Sequence, residues 1–176
     1  MKTKMLVIAG SALVVLSGCD RSSDPGMSLQ QGTSVGQLTD SARDSAVTAY
    51  RAMWNVFADV GVASDPNSPL LGRHANGAAL DKLKRSLQSD RENGFVSKGK
   101  PLLDPMVSAA EPHDDPKKIT ITDCGDSTNW LKHHKDSGLH ADNALGGRRL
   151  IKAVVDKQPD GVWKVSDYAV HEIGSC

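Results

Sequence analysis

The sequence is short of aromatic side chains, of cysteine and of net charge, and each shortage excludes something. Aromatics make up only 4% of the 176 residues, too few to be spread through a large core. Tyr50, Trp54, Phe57, Trp163 and Tyr168 fall in two short stretches, which are the expected halves of one core. Formal net charge is zero, with 21 basic and 21 acidic residues. A basic groove for nucleic acid finds no support in that balance, so no nucleic-acid partner is expected. There is no Cys-x-x-Cys pair, no P-loop and no dinucleotide fingerprint. Dithiol redox chemistry and nucleotide binding therefore lack a motif, and no cofactor is implied. No apolar run is long enough to cross a bilayer. Residues 5–16 carry no charge, yet as a helix they reach only about 18 Å against a hydrocarbon core of roughly 30 Å.

That short apolar run has informative flanks. Lys2 and Lys4 precede it, and Leu16-Ser17-Gly18-Cys19 follows. A positive n-region, a short apolar h-region and a small-residue cleavage site make an export signal rather than an anchor. The four-residue box resembles the lipobox of bacterial lipoproteins, in which an aliphatic residue and two small ones precede an invariant cysteine. The resemblance implies that residues 1–18 are a signal peptide and that Cys19 becomes a diacylated N-terminus. Two acyl chains hold a protein on a bilayer where one gives marginal binding. The expected location is the extracytoplasmic side of a cell membrane, reached through the lipid on Cys19. With Lys2 and Lys4 removed, acids outnumber bases by two.

Three cysteines would leave an odd thiol in an oxidising compartment. If Cys19 carries lipid, Cys124 and Cys176 are free to pair, and the alternative is two free thiols. A bridge closing a loop of about 50 residues would stabilise by roughly 4 kcal/mol on the chain-entropy account.

Residues 19–39 are rich in Ser, Gly, Gln and Asp, without a hydrophobic period, and are expected to be a flexible tether. A single domain is expected over 40–176. Ala46, Tyr50, Met53, Phe57 and Val60 recur at spacings of four and three, one face of a helix that Asp40 or Ser41 would cap and Gly61 would stop. A second helix is expected over residues 77–92 with Leu80, Leu83 and Leu87 inward, ended by Asn93-Gly94. Beyond it the period shifts to two. Short strands are expected at 95–96 and 106–110, a clean one at 118–124, and the strongest at 149–157 and 162–172. Gln158-Pro159-Asp160-Gly161 reads as a hairpin turn. Residues 125–146 are polar and Gly-rich and are expected to form a long loop, with a short turn near Trp130.

Helices followed by antiparallel strands make an α+β chain. The order resembles the nuclear-transport-factor-two-like (polyketide-cyclase-like) superfamily. Carrying the resemblance are the first helix with Tyr50 and Trp54, Asp123-Cys124 ending a strand, the Gly161-Val162-Trp163-Lys164-Val165 hairpin and Cys176. It implies N-terminal helices packed on a curved antiparallel sheet around a conical, cystatin-like cavity. The family pattern has a third short helix, and residues 68–76 are expected to break differently here.

The expected pocket residues are Tyr50, Trp54, Phe57, Trp163, Asp167 and His171, the last two placed inward by strict alternation from Trp163. Enzymes of the resembled superfamily use a pocket Asp or His for proton transfer. Asp123, Asp126, Asp167 and His171 are the residues to weigh for that role, and hydrogen-bonded positions near the sheet rim are the favoured reading. No catalytic residue is assigned. His133, His134, Asp136, His140 and Asp142 are dense in possible ligands, but their spacing fits no established zinc pattern. No metal is expected there, and His113-Asp114-Asp115 reads as a turn. The leading expectation is a non-enzymatic domain binding a small apolar ligand or an envelope protein. The alternatives are an accessory piece of a secretion, conjugation or cell-wall assembly, and an isomerase or dehydratase using a pocket carboxylate.

Overall fold

A computed structural model of the chain describes residues 35–141 and 145–176. The expected signal segment, Cys19 and most of the expected tether lie outside the described residues, as does Asp142.

The first helix, α1, spans Val35–Gly61 and so begins before the expected start at Asp40 or Ser41. Thr39 accounts for the difference. Its hydroxyl donates to the Val35 carbonyl at 3.0 Å and to the His113 carbonyl at 3.3 Å, fastening the first turn to the loop beyond it. Ala46, Tyr50, Met53 and Val60 are buried along the inward stripe. A one-turn helix, α2 (Leu71–His74), stands where the sequence was expected to break. Its last residue is followed by Ala75, which bridges to Val165, so this turn is stabilised by packing rather than by its own periodicity. The third helix, α3 (Gly77–Glu92), buries Ala79, Leu83 and Leu87.

Six strands follow: β1 (Phe95–Lys98), β2 (Met106–Glu111), β3 (Lys118–Asp126), β4 (Leu131–His134), β5 (Arg148–Lys157) and β6 (Trp163–Val170). Strands β2-β3-β5-β6 form one antiparallel sheet in that order, and β1 pairs only with β4. The expected loop over 125–146 is thus interrupted by β4. Leu131-Lys132-His133-His134 has no alternation of its own, and its pairing with Phe95–Lys98 makes it a strand. The helices pack on a curved antiparallel sheet, the expected α+β class. Ile119, Ile121, Ala153, Val155, Trp163 and Val165 point from the sheet into the shared core. Among the described residues no helix is long and apolar enough to cross a membrane.

One irregularity matters more than the rest. The β5–β6 register passes from Val154 opposite Asp167 to Val155 opposite Val165, leaving Ser166 as an extra residue. A bulge of this kind reverses the faces beyond it. Trp163 and Val165 are buried, but from Asp167 onward the alternation is inverted. Tyr168 turns inward against Trp54, and Asp167 and His171 are exposed. The expected inward placement of Asp167 and His171 is therefore overturned.

Candidate binding pocket

The buried face of α1 changes character along its length. Ala42, Ala46 and Ala49 come first, then Met53, Trp54 and Phe57. At Trp54 and Phe57 the aromatic side chains of α1 meet Tyr168 and Trp130. There a cavity of about 240 Å³ opens. Trp54 and Phe57 of α1, Trp130 from the β3–β4 connection and Tyr168 of β6 form its aromatic wall.

Trp54 is the hub of that wall, edge-to-face with Tyr168 at 5.2 Å between ring centroids and with Trp130 and Phe57 at 6.1 Å each. Such pairs add roughly 0.5–1.5 kcal/mol each beyond their area burial. Leu103, Gly125 and Ile151 extend the apolar surface. A Cβ on Gly125 would sit 2.7 Å from Ile151 Cδ1, so glycine here leaves part of the space open. Gly99 does a related job. With φ at +84° and a hypothetical Cβ only 1.9 Å from the Asn129 carbonyl oxygen, it alone lets the chain after β1 close on the segment that carries Trp130.

The polar groups of the lining are few. Among the described lining residues Arg149 is the one that is charged, and Ser86, Ser127, the Tyr168 hydroxyl and the indole N–H groups of Trp54 and Trp130 are the other polar groups. Ser127 is satisfied within the protein, donating to the Gly147 carbonyl at 3.1 Å and accepting from the Gly147 amide at 3.2 Å. No carboxylate or imidazole occurs among the described lining residues. Burial pushes the Tyr168 phenol up to about 12, so it remains a donor at physiological pH.

Beside the cavity lies a closed polar contact. Tyr50 donates to Asp123 Oδ2 at 2.9 Å, and the Asp104 amide donates to Asp123 Oδ1 at 2.8 Å. Asp123 is 1% exposed, and both of its oxygens are engaged. Burial first, then the Asp123 charge, raises the Tyr50 hydroxyl well above its ordinary range. A buried carboxylate held by two donors secures α1 to β3, because leaving either group unpaired would cost about 1–3 kcal/mol.

Of the six expected pocket residues, Trp54 and Phe57 line the cavity. Tyr50 is in the core on Asp123. Trp163 is 7% exposed at the other end of the sheet, where it borders a shallow groove with Ala49 and Val162. Asp167 is outside, 2.6 Å from Lys82 Nζ, and that bond holds its carboxyl below the usual range. His171 is exposed and fastens the β6 end by its backbone, with its amide on the Leu150 carbonyl at 2.9 Å. Cys124 and Cys176 are joined by a disulfide with Cα atoms 5.9 Å apart.

The histidine-rich stretch is structural in what it touches. His133 and His140 face each other across an antiparallel bridge, rings 5.7 Å apart, and His134 lies against Phe95. Among the described residues no group of three or more His, Cys, Asp or Glu is placed to hold a metal ion. His113 and Asp114 pair in the exposed loop between β2 and β3. The Thr128 side chain first, and then its amide at 2.8 Å, keep the Asp126 carboxyl low. Gly32-Thr33-Ser34-Val35-Gly36 matches Gly-x-Ser-x-Gly, but Ser34 lies outside the described residues, and the match by itself carries no role.

Sequence reasoning missed Trp130, Tyr168, Arg149 and Ser86 as lining residues. Trp130 was visible as the one large aromatic in a polar stretch. Tyr168 was not, because nothing local announces the bulge at Ser166.

No family model matches the chain, and no curated protein matches it. Among solved structures, the intermembrane space region of the chloroplast protein ARC6 is similar at 11% identity, with 76% of this chain and 95% of that chain covered and a TM-score of 0.49. A ketosteroid isomerase-like protein from Erwinia carotovora atroseptica is also 11% identical, with 73% and 93% covered and a TM-score of 0.45.

Proposed function

We propose that this chain is an exported lipoprotein, held on the membrane through Cys19, whose nuclear-transport-factor-two-like domain binds a small apolar ligand without transforming it. The observation that carries the reading is the aromatic cavity between α1, Trp130 and β6. Ligand sites are concave and mostly apolar with a few placed polar groups, and this one has that composition at the small end of the size range. Proton-transfer chemistry needs a carboxylate or imidazole within hydrogen-bond reach of the substrate. Asp123 is consumed by Tyr50 and Asp104, and Asp167 is outside on Lys82. Both facts support binding over turnover.

Calorimetric titration with a two-ring neutral probe, 1-naphthamide, tests the pocket. The chain should bind it, and Ser86→Phe, which places a ring in the cavity from α3, should abolish binding while the thermal midpoint holds. Absence of binding by both 1-naphthamide and its acid, 1-naphthoate, in the unmodified chain would sink the reading and turn attention to a protein-docking role in an envelope assembly. The anchor is tested separately. Metabolic labelling with palmitate should mark the chain, and Cys19→Ala should remove both the label and the membrane association.

A further inference from the structure

We infer that the ligand of this cavity is an organic anion, a flat apolar body with one acid group, whose body lies among the four rings and whose acid meets Arg149. The inference rests on the pocket reading above and deepens it.

The argument begins with the unequal fates of two adjacent arginines. Arg148 stands opposite Asp126 in the β3–β5 register and acts on its charge, and its Nε lies 3.3 Å from Cys124 Sγ. Arg149 points to the other face, into the cavity lining. No carboxylate among the described residues comes within ion-pair distance of it. Its protein partner is one backbone oxygen, the His171 carbonyl, at a long 3.4 Å. A guanidinium offers five donors in a fixed fork, so most of them are left to solvent or to a ligand. It is also the residue type best matched to a carboxylate or sulfonate.

The rest of the polar lining agrees in sign. The Tyr168 and Ser86 hydroxyls have no hydrogen-bond partner among the described residues. Arg85 of α3 bears on the Tyr168 phenol as a positive charge. Asp167, the acid that also bears on Tyr168, is neutralised by Lys82. The open end of the fold therefore offers donors and positive charge, with no free acidic group in the described lining to repel an anion. A neutral apolar ligand would use the rings and leave Arg149 unused.

Position along the strand orders the contacts. Arg149 is one residue from the start of β5, Ile151 follows on the same face, and Ala153 lies opposite Tyr168. An acid at the mouth and rings further in match that sequence of polar and apolar groups.

A matched pair of probes separates this inference from the pocket reading. 1-Naphthoate and 1-naphthamide have the same two fused rings and differ in charge. Both are titrated by calorimetry into the full chain in nanodiscs, with empty nanodiscs as the blank. Charge-assisted bonds are roughly twice as strong as neutral ones, so naphthoate should bind about tenfold tighter or more. Arg149→Gln should bring naphthoate down to the level of naphthamide, and Arg149→Lys should keep part of the preference. Arg148→Gln removes the same charge from the neighbouring position and should leave the preference intact. Equal affinities in the unmodified chain, or equal effects of the two glutamine variants, would overturn the anion inference and leave the pocket reading standing. If neither probe binds, both fail. Unchanged thermal midpoints across the variants establish that folding is not what was altered.

Discussion

The two ends of the helix–sheet layer are built on opposite plans. At one end Ala42, Ala46 and Ala49 of α1 share the buried core with Val155, Trp163 and Val165. At the other end Trp54 and Phe57 face a cavity rimmed by Trp130, Tyr168 and Arg149. The closed end is held by packing. The open end is held by long-range ties: Gly99 against Asn129, the C-terminal segment against β5, and Cys124 to Cys176. Between the two ends lie the Ser166 bulge and the Tyr50–Asp123 contact. The contrast teaches that one fold can devote one half to stability and the other to a site, provided something other than packing secures the second half.

Paired tryptophan substitutions press hardest on that contrast. Trp163→Ala should cost about 3–5 kcal/mol in urea denaturation, the usual loss for a buried aromatic. Trp130→Ala should cost much less, because its ring already borders open volume, yet it should abolish binding of naphthyl probes. Equal stability losses would erase the distinction between the ends. Replacing both Cys124 and Cys176 by alanine comes next. With a sequence separation of 52, the loss should be roughly 4 kcal/mol. Hydrogen exchange should show it first at the Leu150 and Gly174 amides, which join β5 to the C-terminal segment. Uniform loss of protection would mean that the bridge supports the whole domain.

Tyr50→Phe should destabilise by about 1–3 kcal/mol, since it leaves a buried carboxylate with one donor fewer. Asp123→Asn, which keeps an acceptor for Tyr50, should cost less in the same thermal assay. The smallest effect is confined to high pH. Tyr168 is raised from 10.0 to about 12 by burial, so the folded state holds its proton more tightly than the unfolded chain. Its contribution is complete below pH 10 and is lost as pH rises toward 12. Tyr168→Phe should flatten that part of the stability profile. Tyr50, raised in the same direction, should keep some slope in place, and an unchanged profile would deny Tyr168 its buried setting.

Much of the architecture was legible locally. The spacing of Tyr50, Met53 and Phe57 marked the helix stripe, and the alternation of Ile119 and Ile121 marked the central strand. Gln158-Pro159-Asp160-Gly161 marked the hairpin, where the Gly161 amide donates to the Gln158 carbonyl at 2.8 Å. These signals depend on residues within a turn or two of each other. The misses have a common cause. β4 exists only because β1 lies beside it, α2 because Ala75 meets Val165, and the early start of α1 because Thr39 reaches His113.

The site divides the same way. Trp54 and Phe57 were legible because a helical period names its own inward face. Asp167 and His171 were misplaced because a strand's faces depend on every residue before them being counted, and one bulge at Ser166 undoes the count. By itself the sequence determined the two long helices, the main strands, the hairpin and the inward stripe of α1, since each follows from short-range periodicity and turn chemistry. Only the tertiary structure decided where the cavity opens, which tyrosine faces it, and that Arg149 stands there without a carboxylate partner among the described residues. Those outcomes depend on register and on side chains that meet from distant parts of the chain.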